Sequence, residues 1–152
     1  MRLRFLLPLL LCSACGGPAP VDLCADGGCD RAFQRIVFVE MSTPGGNFRV
    51  LRDGLSVRHS FANGLEDRGQ TLTREQLAPL WLAVDEPAFH LDLHNVQARD
   101  VCNDFRTQRC LDVSVKSTAT TGGCWCGPAS EARVENAWQE ALAVFDLAFP
   151  GT

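Results

Sequence analysis

Apolar and polar residues alternate with a period of two on both sides of Asp53-Gly54, the clearest local pattern in the chain. Phe48 and Val50 share one face of residues 48–52. Leu55, Val57, His59 and Phe61 share one face of residues 55–61. Asp-Gly supplies the two positive-φ positions of a type I′ turn, so the two runs predict a β-hairpin. Ile36-Val37-Phe38-Val39 is a β-branched apolar run that predicts an earlier strand, and Thr43-Pro44-Gly45-Gly46-Asn47 is the turn cluster between them. Residues 63–70 are polar and glycine-bearing, hence a loop. The period then changes. Leu77, Leu80, Trp81 and Val84 fall at i, i+3, i+4 and i+7 behind Thr73-Arg-Glu-Gln76, a capping box, and predict an amphipathic helix of about 12 residues. Pro79 lies beyond the first turn and is expected to kink that helix or delay its start.

Asp85-Glu86-Pro87 ends that helix, and the period returns to two. Phe89-His-Leu-Asp-Leu-His94 alternates, and a short extended piece is expected there. Residues 110–117 predict a strand with Leu111, Val113 and Val115 on one face; residues 118–123 form a turn, and Cys124-Trp125-Cys126 returns as an edge. Ser130 is a plausible N-cap for a second helix from Glu131, with the stripe Val134, Trp138, Ala141, Leu142, Phe145 and Phe149. The predicted fold is α+β. It has an antiparallel sheet of about five strands with two helices packed on one face, in the order βββα–ββα, braced by disulfides.

The N-terminal pattern differs from all of this. Arg2 and Arg4 precede a run from Phe5 to Leu11 that is apolar apart from Pro8. Seven residues rise about 10 Å as helix, far less than the roughly 30 Å of a bilayer core, so the run reads as a signal-peptide h-region. Ser13-Ala14-Cys15 supplies small side chains before a cysteine and resembles the lipobox of a bacterial lipoprotein, although Cys12 occupies the position usually held by Leu. The expected organisation is a signal in residues 1–14, a lipidated Cys15 with a Gly/Pro linker in residues 15–22, and one domain in residues 23–152. Several acyl chains on Cys15 would make a lasting tether to the membrane. The chain would then sit in the bacterial cell envelope, outside the cytoplasm.

Cysteine number agrees with that organisation. Of 8 cysteines, cleavage removes Cys12 and lipidation uses Cys15. Cys24, Cys29, Cys102, Cys110, Cys124 and Cys126 remain, an even set suited to disulfides in an oxidising compartment. Cys24 and Cys29 flank Asp-Gly-Gly and predict a local closed loop; a metal knuckle there would need a second Cys or His pair nearby. Cys124 and Cys126 are too close to pair with each other, so each is expected to bridge to Cys102 or Cys110, in either combination.

Charge and motifs exclude more than they propose. Of 14 basic residues, Arg2 and Arg4 leave with the signal, so 12 face 18 acidic ones and the mature formal charge is about −6. No basic cluster offsets this, and nucleic acid is not an expected partner. His90 and His94 have the i, i+4 spacing of a helical metal pair, but an extended segment would hold them far apart. Asp100 and Asp104 lack the glycine turn and the oxygen donors of a calcium loop. Trp125-Cys126-Gly127-Pro128-Ala129 resembles a thioredoxin active site whose resolving cysteine is Ala129, and structural pairing of Cys126 is the expected state. No catalytic residue, metal site or cofactor is expected.

One resemblance spans about residues 36–149. A strand before Gly45-Gly46, the Asp-Gly hairpin, the Leu72-to-Leu77 helix start, Asp104-Phe105 before a strand and a final helix are similar to emfourin-type small proteins. The same order is similar to many envelope lipoproteins. The founding emfourin inhibits a thermolysin-like metalloprotease, so the resemblance implies a metalloprotease as one possible protein partner, without implying inhibitory residues. The expected function is a non-enzymatic, tethered binding module, in its sharper form a protease inhibitor. Thr43, Pro44, Gly45, Gly46 and Asn47, with the 63–70 loop, are the candidate contact surfaces. The alternatives are a thiol-dependent or acid–base envelope enzyme, using Cys126 or the Asp100/Asp104 pair, and a structural lipoprotein of an envelope complex.

Overall fold

A computed structural model describes residues 24, 27–100, 102–116 and 120–151. The signal, Cys15 and the linker lie outside the described residues, as do Ala25, Asp26 and part of the 118–123 turn. The chain is α+β. Six strands form one antiparallel sheet in the order β4-β3-β2-β1-β5-β6. They are β1 (Ile36–Thr43), β2 (Gly46–Leu51), β3 (Ser56–Ser60), β4 (Glu66–Arg68), β5 (Gln108–Val115) and β6 (Thr121–Cys126). Four helices accompany them: α1 (Gly28–Arg35), α2 (Arg74–Asp85), α3 (Pro87–Arg99) and α4 (Ala132–Ala148).

Period-two alternation sets the two faces of the sheet. Val39, Met41, Phe48, Val50, Leu111, Val113 and Trp125 are buried and face the helices. Their neighbours Phe38, Glu40, Arg49 and Asp112 lie on the opposite, more open face. There Glu40 pairs with Arg49 and accepts from Asn47 Nδ2 at 3.1 Å, while the Arg49 guanidinium lies 4.6 Å over the Phe38 ring. Central β1 holds both halves of the fold together, pairing with β2 on one side and β5 on the other.

The sheet has one more strand, and the layer two more helices, than the expected five and two. The strand is β4, which lies inside the expected 63–70 loop. Glu66, Asp67 and Arg68 are all exposed, so no apolar face marks them; they form the edge through pairing with Val57, Arg58 and His59. Of the added helices, α1 has only eight residues and buries Cys29, Ala32 and Phe33, with Phe33 stacked on Trp81 at 5.7 Å. The other, α3, replaces the expected extended piece. Phe89, Leu93 and Val96 are its buried residues, spaced i, i+4, i+7, whereas Leu91 is 63% exposed. Asp85-Glu86-Pro87 does end α2, at Asp85, and Pro87 then stands in the first turn of α3, where a missing N–H costs nothing.

The Asp53-Gly54 hairpin is present with a longer loop than a two-residue turn. Leu51 N–H donates to Leu55 O at 2.9 Å across three residues, and Gly54 N–H donates to Leu51 O at 2.9 Å. Gly54, at φ 87°, also meets the chain before α2. Leu72 N–H donates to its carbonyl at 3.1 Å, and a Cβ on Gly54 would fall 2.0 Å from Leu72 O. This contact fixes where α2 begins.

The capping box forms as expected. Thr73 Oγ1 accepts from Gln76 N–H at 3.4 Å, and Gln76 Oε1 accepts from Thr73 N–H at 2.8 Å. Helix α2 runs from Arg74 to Asp85 through Pro79. Thr73→Ala is expected to lower the unfolding free energy by about 1 kcal/mol, measured by denaturant unfolding, while Thr73→Ser retains it. In α4 the N-cap is Glu131 and not Ser130, whose N–H instead donates to Asp100 Oδ2 at 2.9 Å.

Candidate functional site

The β1–β2 turn is tight because Thr43 and Gly46 are register partners, leaving only Pro44 and Gly45 outside the ladder. Thr43 Oγ1 donates to Gly46 O at 3.3 Å, and Phe61 N–H donates to Gly45 O at 3.1 Å. Gly46 is required by its neighbour, since a Cβ there would fall 2.1 Å from the His59 carbonyl oxygen. Pro44 and Gly45 are exposed at the tip. Antiparallel pairing brings the start of β5 and the ends of β3 and β6 to the same end of the sheet.

Three concavities border this turn. One, of about 520 Å³, lies on the helix side, with Met41, Phe48, Leu142 and Phe145 as apolar lining and Arg58 and Asp67 as its charged pair. A second, of about 400 Å³, is bounded by Pro44, Phe61, Phe105 and Cys110. A third, of about 420 Å³, lies between Pro44, Arg106, Trp138 and Leu142. Thr43 borders all three, so the turn is a ridge between hollows. The flanking rings are unusually open: Phe61 is 56% and Phe105 74% exposed. Of the second expected loop, Asn63 and Asp67 join this end. Gly69 and Gln70 are tied down, Gly69 N–H donating to Ser56 O and Gln70 N–H to Ala148 O.

Two disulfides stand at the same end. Cys110 and Cys124 are register partners on β5 and β6 and are bonded to each other, and Cys102 bridges to Cys126. Cys24 pairs with Cys29. The six expected cysteines are therefore all paired, and the connectivity left open by spacing is 102–126 with 110–124. The thioredoxin-like segment carries no free thiol. Just beyond it, Glu135 holds the loop in place. Burial raises its pKa, but the Ala129 N–H, Gln139 and Arg109 outweigh that and hold the carboxyl below its ordinary value.

The remaining titratable candidates are dispersed. Asp100 is bonded to Ser130 N–H, and Asp104 Oδ1 accepts from Arg106 N–H at 2.9 Å, so both brace loops. Asp112 stands on the open sheet face, where burial and then Glu40 push its pKa up. Because α3 is helical, His90 and His94 do lie one turn apart, against the expectation from an extended segment. Among the described residues no group of three or more His, Cys, Asp or Glu side chains is placed to hold a metal ion.

No protein-family model, curated protein or solved structure matches this chain.

His90 is half-buried near the Arg35–Asp85 ion pair. Its Nδ1 is buried without a protein partner, and Phe89 packs edge-on at 5.4 Å. Burial lowers its pKa, as does nearby Arg35, with Asp85 partly opposing them. The unfolded chain therefore takes up this proton at higher pH than the folded one. Stability is fully present above the unfolded value near 6.5 and declines as pH falls from there toward the folded pKa. Urea midpoints at pH 5 and 7.5 should differ in that sense, and His90→Gln should reduce the difference. An undiminished difference would assign the slope to other groups.

Proposed function

We propose that this chain is a non-enzymatic binding module tethered in the bacterial envelope through Cys15, with the β1–β2 turn end as its contact surface. The observation that carries this reading is the convergence of three concavities on the exposed Pro44–Gly45 tip. Geometry gives further support. The chain reaches the sheet through α1 at Ile36, and the turn lies at the far end of β1, eight residues away and about 25 Å distant at strand rise. The turn end is thus the end of β1 opposite to the one that α1 feeds. Three disulfides suit an oxidising compartment and reduce the disorder lost on association. Among the described residues no helix is long and apolar enough to cross a membrane.

The sharper form of the proposal is inhibition of a thermolysin-like metalloprotease, which rests on the resemblance to emfourin-type proteins. A rigid turn flanked by exposed Phe61 and Phe105 is a suitable surface for such a partner. The test is inhibition of a panel of these enzymes by residues 18–152, expressed with the disulfides oxidised. Tight stoichiometric inhibition, weakened at least tenfold by Pro44→Ala with Gly45→Ala, supports the reading. Absence of inhibition by folded, thiol-free protein removes the inhibitor form, and crosslinking in the envelope then identifies the partner.

A further inference from the structure

The largest of the three concavities at the turn has a chemical character of its own. Its apolar lining comes from two layers, Met41 and Phe48 from the sheet and Leu142 and Phe145 from α4, with Phe48 and Phe145 meeting edge-on at 5.2 Å. Its charged lining consists of one guanidinium and one carboxylate. Arg58 Nη2 stands 2.8 Å from Asp67 Oδ2, and the Arg58 guanidinium is also held 4.9 Å over the Phe149 ring. The two side chains remain 31% and 54% exposed, so both heads are within reach of a ligand. The volume of about 520 Å³ lies within the range of small-molecule sites.

An Arg–Asp pair beside an apolar floor discriminates by charge arrangement. A simple carboxylate gains from Arg58 and is repelled by Asp67; a simple amine meets the reverse. A molecule carrying both charges on one carbon presents carboxylate to Arg58 and ammonium to Asp67 together. Its third substituent is then free to enter the apolar lining. We propose that this cavity binds a free apolar α-amino acid, with its zwitterion across the Arg58–Asp67 pair and its side chain against Met41, Phe48, Leu142 and Phe145. The ion pair is solvent-exposed and so is opened by a competing zwitterion at low cost. This inference does not depend on a protease partner.

The sequence supplies a selective probe. The chain has 2 methionines, Met1 and Met41, so methyl-labelled methionine places one of its two signals in this cavity. The full-length protein is titrated with L-leucine, L-phenylalanine, L-serine, N-acetyl-leucine and leucinamide while the Met41 methyl resonance is followed. Saturable shifts are expected with leucine and phenylalanine. Serine lacks the apolar group, and N-acetyl-leucine and leucinamide each lack one charge; all three should bind at least tenfold more weakly. Asp67→Asn lies on the exposed edge strand, outside the core, and should cost leucine affinity a similar factor with the thermal midpoint unchanged. Absence of a saturable Met41 shift up to about 10 mM leucine overturns the proposal. So does equal binding of leucine and its N-acetyl or amide forms.

Discussion

Phe89→Ala is expected to lower the unfolding free energy by about 3–5 kcal/mol, the range for emptying a fully buried aromatic site. Phe89 is 0% exposed, and Leu93 and Val96 complete the same buried stripe on α3. Leu91→Ala, two residues on, should change stability by no more than about 0.5 kcal/mol, because Leu91 faces solvent. The contrast is informative because a strand through Phe89 and Leu91 would place both on one face and make both substitutions costly. Denaturant unfolding of the two variants separates helix from strand in solution. Equal losses at the two positions would contradict the helical assignment of residues 87–99.

The second large effect is covalent. Cys102→Ser with Cys126→Ser should cost about 3.5 kcal/mol and Cys110→Ser with Cys124→Ser about 3 kcal/mol, mostly by releasing the unfolded chain. The bridges close sequence separations of 24 and 14, so the logarithmic loop dependence makes the two losses similar. For a domain of this size each pair removed should lower the thermal midpoint by on the order of 10 °C. Single substitutions are the sharper check on connectivity. Cys102→Ser should leave Cys126 reactive to alkylation, with Cys110 and Cys124 protected. A reactive Cys124 in that variant would show the alternative pairing.

The contrast between α3 and the Asp53-Gly54 hairpin shows what could be read in the sequence. In the hairpin, strand partners are adjacent along the chain, and a turn residue with a steric requirement marks the join. The loop has three residues where two were expected, and Gly54 is also held by its contact with Leu72. In α3, six residues satisfy both periods. Phe89 and Leu93 are buried at helical spacing, while Leu91 creates an alternation that burial does not follow. Composition in such a short window cannot decide between the two; packing against the sheet does, with Gly123 making room for Leu93. Strand β4 was concealed for another reason. An exposed edge needs only backbone pairing, and Glu66-Asp67-Arg68 has no apolar signature.

The turn residues Thr43–Asn47 were legible as a surface feature from Pro-Gly-Gly alone. What surrounds them was not. Phe61, Phe105, Arg58, Asp67 and Leu142 lie from 15 to 99 positions further along the chain than Thr43 and meet that end only through the sheet order and the placement of α4. The cysteines sit between these cases. Parity and spacing limited Cys102, Cys110, Cys124 and Cys126 to two pairings, and the facing register of Cys110 and Cys124 on neighbouring strands selects one.

The central position of β1 also determines how the domain carries a mechanical load. A pull between α1 and the Pro44–Gly45 tip acts along the axis of β1, which is bonded on one flank to β2 and on the other to β5. Such a pull runs through the covalent backbone of β1, which is already extended, so the ladders on its two flanks are spared the force. A load applied at the turn and taken up through α1 would thus reach the far side of the domain without opening the sheet.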